Sequence, residues 1–248
     1  MKILPPQTNP PSEKIDRRHS PKPAGGRYGY REYRPCLRWD FGFTCAFCLL
    51  HEADLSEHGT EATGLTSVEH FVPVSHEGAI NDYQNCFYAC RFCNQARADA
   101  PVIDSRGRRL LNPCDNVWAQ HFRLTDSCLT PVSDEAGYTH EIYDLDDPRK
   151  IERRKFRRER LQEWRQLLSE GPAVLEGLMS RLLTGPVENQ IDILKAADLL
   201  RQAIGNALRD IRRYAAVPGD ADEACRCESG DHCSLPDVYS RQTSDLPP

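Results

Sequence analysis

The stretch SVEHFVPVSHEGAINDYQNCFYACRFCNQARAD, residues 67–99, holds most of the chemistry in this chain. It closes on a C-x2-C pair, Cys90 and Cys93. A matching pair, Cys45 and Cys48, lies upstream with 41 residues between the two. Each pair can place two thiolates on one ion from a tight turn, a zinc knuckle. Two knuckles complete a tetrahedral site of four thiolates, which is closed and therefore structural. Zn²⁺ is the expected ion, and it would staple the two ends of a small subdomain. Cys86, four residues before Cys90, is an alternative fourth ligand. Between the knuckles, Glu69–His70 follows a short β-branched segment and precedes Pro73. Asn85 comes 15 residues after His70, and Asn94 comes 9 after Asn85, directly after Cys93.

This order and spacing resemble the HNH endonuclease family, whose core is the ββα-metal (His-Me) finger. The family pattern has an acidic residue and a His at the end of one strand, an Asn in the second, and a His or Asn on the following helix. In many members two C-x2-C knuckles bracket it. The E-H-F-x-P and C-N-x-x-R forms are similar to a bacterial subgroup. The likeness covers residues 45–99 and continues more weakly through RLLNPCDNVWAQHF (109–122) and the helix starting near Pro148.

The resemblance implies an α+β fold: a zinc-stapled ββα-metal core with a mainly helical C-terminal region. It implies a metal-dependent endonuclease that hydrolyses phosphodiester bonds in DNA, double-stranded DNA being favoured over RNA, leaving a 5′-phosphate and a 3′-hydroxyl. His70 would be the general base, since a neutral imidazole can take a water proton. Glu69 and Asn94 would hold Mg²⁺ or Mn²⁺ through hard oxygen ligands. Asn85 would fix the loop and the orientation of His70, and Arg97 would hold a phosphate. Glu69 and His70 point to opposite sides of a strand, so the backbone must bend for both to serve one site. Two departures stand out: Glu where Asp is commoner, and Asn where His is commoner, the latter favouring Mg²⁺ or Mn²⁺ over softer ions. The subgroup also resembles components of anti-phage defence, which act beside an ATPase partner. The chain has no G-x4-G-K-[ST] pattern of its own.

Two other readings keep the four cysteines: a non-catalytic zinc-binding nucleic-acid-binding module, and a plain zinc-ribbon interaction domain. Neither needs Glu69, His70 and Asn94 together.

Outward from this centre, charge divides the chain. Residues 1–44 carry nine basic and four acidic side chains; 45–148 carry six and seventeen; 149–168 carry nine and three; 219–248 carry two and seven. Residues 1–27, rich in Pro, Gly and Ser, read as a disordered leader. RYGYREYRPCLRWD (27–40) mixes Arg with Tyr and Trp. That composition suits a nucleic-acid-facing arm, and equally a strand packing its aromatics on the core. Residues 28–147 read as the nuclease domain with flanking strands, including a hairpin around Asp134–Gly137. Residues 148–217 read as a helical region of three helices, broken at Gly171–Pro172 and Gly185–Pro186. Its first helix, DDPRKIERRKFRRERLQEWRQ (146–166), is the candidate duplex contact, with Arg153, Arg154, Arg157 and Arg158 on phosphates. The alternative is a solvated face partly neutralised by Glu152, Glu159 and Glu163. The tail, 218–248, is acidic and aperiodic. Its Cys225, Cys227, His232 and Cys233 could form a second metal site, although their spacing matches no zinc module.

The 248 residues include 11 cysteines, an odd count that does not suit a fully paired disulfide scaffold. The start has no apolar signal segment, and no apolar run approaches the ~20 residues that cross a bilayer. A cytoplasmic protein with no membrane partner is expected.

Overall fold

The computed structural model describes residues 9–17, 19–55, 65–76 and 78–215. The first eight residues lie outside these, as do the tail from 218 and its Cys225, Cys227, His232 and Cys233.

The fold is α+β. Strands β1 (Thr66–His70) and β2 (Cys86–Cys90) pair antiparallel, Thr66 opposite Cys90 and His70 opposite Cys86. β2 reads Cys-Phe-Tyr-Ala-Cys and is buried at every position, as a short continuous apolar run predicts. Phe87 is its hub, with the rings of Phe41, Phe47 and Phe71 at 5.6, 5.9 and 5.5 Å. The helix Arg91–Arg97 follows without a loop, Cys90 serving as its extended N-cap residue.

Residues 27–40 are not a strand. Residues 29–33 form a 3₁₀ turn that runs into α1 (Arg34–Asp40), with Pro35 in its first turn. Tyr33, Cys36 and Leu37 are buried against the core. The short helix α2 (Glu52–Leu55) follows the first knuckle. With these two numbered, Arg91–Arg97 is α3. Of the leader, the described residues make contacts with the core. Arg17 donates to the Tyr83 and Gln84 carbonyls and lies 4.5 Å over the Phe87 ring. Buried His19 bonds Asp40 at 2.6 Å.

After α4 (Trp118–His121), strands β3 (Phe122–Thr125) and β4 (Cys128–Pro131) form a hairpin. Asp126 and Ser127 turn it with φ of 49° and 71°, both left-handed, which is what a two-residue hairpin needs. The expected hairpin therefore sits one segment earlier than Asp134–Gly137. Residues Asp134–Ile142 are helix α5: Ser133 accepts from the Ala136 N–H as N-cap, and Asp134 and Glu135 favour the first turn.

α6 (Pro148–Thr184) and α7 (Gln190–Ala215) pack as a helical hairpin. Asp147 caps α6, accepting from the Arg149 N–H at 2.8 Å. Two helices were expected where α6 runs unbroken through Pro172. The residue before a proline is pushed out of the helical region partly by its own Cβ, and Gly171 has none. A Cβ there would also come 2.9 Å from the Ile204 side chain, so Gly171 lets α7 pack close at this point. No described helix is long and apolar enough to cross a membrane.

Candidate metal centre and adjoining strand end

The four cysteines of the two knuckles converge. The sulfurs of Cys45, Cys48, Cys90 and Cys93 all lie within 4.8 Å of one another, and all four residues are buried. Backbone bonds shape the first knuckle: Cys45 N–H to Leu50 O, Ala46 N–H to Tyr88 O, and Leu49 turned with φ of 63°. The second straddles the β2–α3 junction. Burial alone would push the Cys45 thiol up, but hydrogen bonds from the other three sulfurs hold it well below the usual thiol range. Four convergent sulfurs, one already disposed to ionise, fit a tetrahedral metal ion such as zinc. Cys86 is not among them. It sits at the far end of β2, where burial pushes its thiol up to about 12.

Buried cations surround the sulfurs, and sequence reasoning missed them. Lys150 is 0 % exposed and donates to the carbonyls of Tyr143 and Asp144. Burial disfavours its charge, but the four sulfurs, Cys93 foremost, more than offset that and hold its pKa above the usual range. Arg154 donates to the carbonyls of Ser127, Cys48 and Leu145 at 2.7, 3.1 and 3.0 Å. Arg157 donates to Asp54 at 2.7 Å and to Leu49 O at 2.9 Å. Arg153 donates to the Asp54 carbonyl. So the basic helix is bolted to the first knuckle. Arg154 and Arg157, expected on phosphates, are buried, with both terminal nitrogens of each bonded to protein. Arg158 is exposed.

At the end of β1, the His70 Nε2–H donates to Ile80 O at 2.8 Å, because a carbonyl can only accept. That fixes the tautomer and leaves the Nδ1 lone pair free. Asn85 holds the connecting loop. Its Oδ1 accepts from the Val72 N–H at 2.8 Å, and its Nδ2 donates to Val72 O and Ala79 O at 3.0 and 3.2 Å. Ala79 adjoins the Ile80 that holds His70. Glu69 faces the other side of the strand and is 5 % exposed. No hydrogen bond reaches its carboxyl among the described residues. Burial pushes its pKa up to about 8, against the pull of Arg97.

No family model, curated protein or solved structure matches the chain.

Asn94 lies half-buried in the first turn of α3, which packs against β1 and β2. Arg97, expected to hold a phosphate, is instead 0 % exposed. It donates to Phe71 O at 2.9 Å and to Ala100 O, tying α3 to the segment after β1. A fully buried guanidinium with both terminal nitrogens on carbonyls offers a phosphate no approach. Asn81 and Ile80, which brace the strand end, carry no sequence signal that marks them.

Proposed function

We propose that the chain is a metal-dependent HNH-type endonuclease acting on DNA, its core a zinc-stapled ββα-metal finger. The observation that carries this reading is the His70 imidazole, held by Ile80 O at Nε2 and bare at Nδ1. A purely structural zinc module has no use for a histidine prepared in that way, with an asparagine clamp behind its loop.

In the reaction, His70 Nδ1 takes a proton from water. The water oxygen bonds to phosphorus, the bond from phosphorus to the 3′ oxygen breaks, and that oxygen takes a proton from solvent. A 5′-phosphate and a 3′-hydroxyl result. Asn85 keeps the imidazole aimed through the loop it clamps. Glu69 and Asn94 would hold Mg²⁺ or Mn²⁺, which when bound neutralises charge on the phosphoryl and leaving oxygens. Glu69 fits that duty: a buried carboxyl that no hydrogen bond reaches among the described residues, its pKa raised to about 8 by burial despite Arg97, would be ionised by a further cation beside it. Duplex DNA as substrate, a cytoplasmic setting and an ATPase partner in anti-phage defence rest on the E-H-F-x-P resemblance alone.

The test is cleavage of supercoiled plasmid with Mg²⁺ or Mn²⁺, wild type against His70→Ala, with zinc content measured on both. Cutting by the wild type alone, both proteins holding zinc, is the expected result. A zinc-loaded wild type that leaves the plasmid intact would favour the non-catalytic binding module.

A further inference from the structure

Beside His70 lies a segment that the hydrolytic reading does not use, residues 27–31. The Tyr30 ring meets the imidazole edge-on, centroids 4.6 Å apart at 71°. The Arg31 guanidinium sits 4.7 Å over the Tyr28 ring and 6.0 Å over Tyr30, and Arg27 sits 5.5 Å over Tyr28. Alternating rings and cations thus run from solvent to the imidazole. Tyr28 is 54 % exposed, and both arginines are exposed. Among the described residues neither arginine has a carboxylate partner. The two therefore keep every donor for a ligand.

The turn is held firmly where it stands. Asn81 Oδ1 accepts from the Tyr30 N–H at 2.9 Å, and Asn81 Nδ2 donates to Gly26 O at 2.7 Å. Tyr33 Oη donates to Asn81 O at 2.7 Å. Asn81 directly follows Ile80, whose carbonyl holds His70. The turn and the imidazole are thus registered against two adjacent residues. Gly29 permits this closeness, since a Cβ there would lie 2.9 Å from Ala24 Cβ and 3.3 Å from Asn81 Oδ1.

A packing role does not explain Tyr28. The buried aromatic of the segment is Tyr33, and Tyr28 stands out in water between two unpaired cations. Unpaired arginines complement a phosphate backbone, and an exposed ring offers a stacking face to a base. Arg27 and Arg31 touch protein mainly through that ring. A phosphate would draw them aside and leave its face open.

We infer that Arg27, Tyr28 and Arg31 form a subsite for the nucleic-acid strand that flanks the scissile phosphate. The arginines take backbone phosphates, and Tyr28 stacks on one base left unpaired where the strand parts from the duplex beside the cut. The inference rests on the nuclease reading of His70 and adds where the substrate strand runs.

The test uses the full chain carrying His70→Ala, zinc-loaded, without added Mg²⁺ or Mn²⁺. Its binding to a short labelled oligothymidine, and to an abasic strand of equal length, is read by fluorescence anisotropy. Tyr28→Ala should weaken oligothymidine roughly tenfold, the scale of one stacked base, and leave the abasic strand unchanged. Arg27→Ala with Arg31→Ala should weaken both strands and flatten the log–log salt dependence by about 0.7 per lost contact. Gly29→Ala, which changes no charge, should weaken both by shifting the turn. Variants that bind both strands like their parent overturn the subsite, as does a Tyr28→Ala loss equal on both. Plasmid cleavage separates the two readings. A wild type that cuts while the arm variants bind normally sinks the subsite alone. One that binds through the arm but never cuts keeps the subsite and sinks the nuclease.

Discussion

Two arginine-dense stretches of this chain meet opposite fates. On α6, Lys150, Arg154 and Arg157 are buried and spend their donors on protein carbonyls and Asp54. In the turn 27–31, Arg27 and Arg31 stand in solvent beside His70 with only aromatic rings for company. Both read as nucleic-acid contacts when only charge is counted. The difference teaches that a cation's duty depends on whether its donors are already engaged. On α6 the answer lies in periodicity. Lys150, Arg154, Arg157, Leu161 and Trp164 are all buried, and their spacing of four, three, four and three residues is that of one helix face. The cations simply continue the apolar stripe toward the knuckle.

The hardest way to break this contrast is to take the metal away. If Lys150 and Arg154 answer to four thiolates, losing the ion leaves both cations uncompensated in the interior. Structural zinc contributes about 10–16 kcal/mol of apparent binding energy, as large as the ~5–15 kcal/mol stability of a whole domain. Cys48→Ser, or stripping the wild type with a chelator, should therefore abolish cooperative unfolding of residues 9–215. Thermal melts paired with elemental zinc analysis read this directly. A metal-free protein that melts like the parent would mean that the buried cations have no anion to face.

Next in size is Arg157. Its Nη1 is bonded to Asp54 at 2.7 Å, both side chains nearly inaccessible. Truncating one member of such a pair strands the other charge and costs about 3–5 kcal/mol. Arg157→Ala should lower the unfolding free energy read from denaturant melts by that amount. A change near zero would place Arg157 among the surface cations and erase the contrast.

The sequence made the site more legible than its surroundings. Cysteine spacing announced the four-sulfur cluster because knuckle geometry is local: two sulfurs per tight turn. The fully apolar CFYAC announced a buried strand. The helix α5 was misread because TPVSDEAGYTHEIY alternates like a strand, whereas Ser133 and the acidic pair behind it are a helix start. Pro172 was misread as a break because its effect depends on the residue before it. Arg97 was misread because nothing in C-N-x-x-R tells whether its guanidinium meets water or the Phe71 carbonyl. The contacts of Arg17 and His19 with the core carry no signal in the sequence because they are long-range, such as Arg17 on Phe87. That last pair lies seventy residues apart, and no local pattern reports it.

A pH experiment sharpens the contrast from a third position. His51 is buried beside the same cations, and burial, then Arg157 and Arg38, lower its pKa to about 3. Its unfolded value is about 6.5. Between those values the unfolded chain binds a proton that the native state refuses, so stability falls as pH falls. The loss should reach about 2 kcal/mol by pH 5, at up to about 1.4 kcal/mol per pH unit. His51→Asn keeps an acceptor for the Ala53 N–H that now bonds His51 Nδ1 at 3.0 Å, yet it cannot take up the proton. The difference between wild type and variant, followed by denaturant melts from pH 7 to pH 5 with zinc present, isolates this group from acid loss of the metal. Parallel curves would mean that the imidazole protonates freely and that Arg157 and Arg38 exert no field on it.

The smallest expected effect is the most direct comparison. Arg158 follows Arg157 in sequence, yet among the described residues it makes no hydrogen bond or ion pair. It lines a shallow cavity of about 260 Å³ with Gln162, Arg165 and Leu124. Arg31 is likewise engaged only by rings. Removing an exposed, unbonded side chain usually changes stability by no more than about 0.5 kcal/mol. Arg158→Ala and Arg31→Ala should both fall inside that window, while Arg157→Ala falls far outside it. If Arg31→Ala instead costs as much as Arg157→Ala, its ring contacts are structural and the turn is a strut. If both surface variants are neutral, only DNA binding can tell them apart. There Arg31 should lower affinity through its place beside His70, and Arg158 should matter only where the duplex reaches the outer face of α6. Measuring the three variants in one denaturant series separates buried struts from free cations without any substrate.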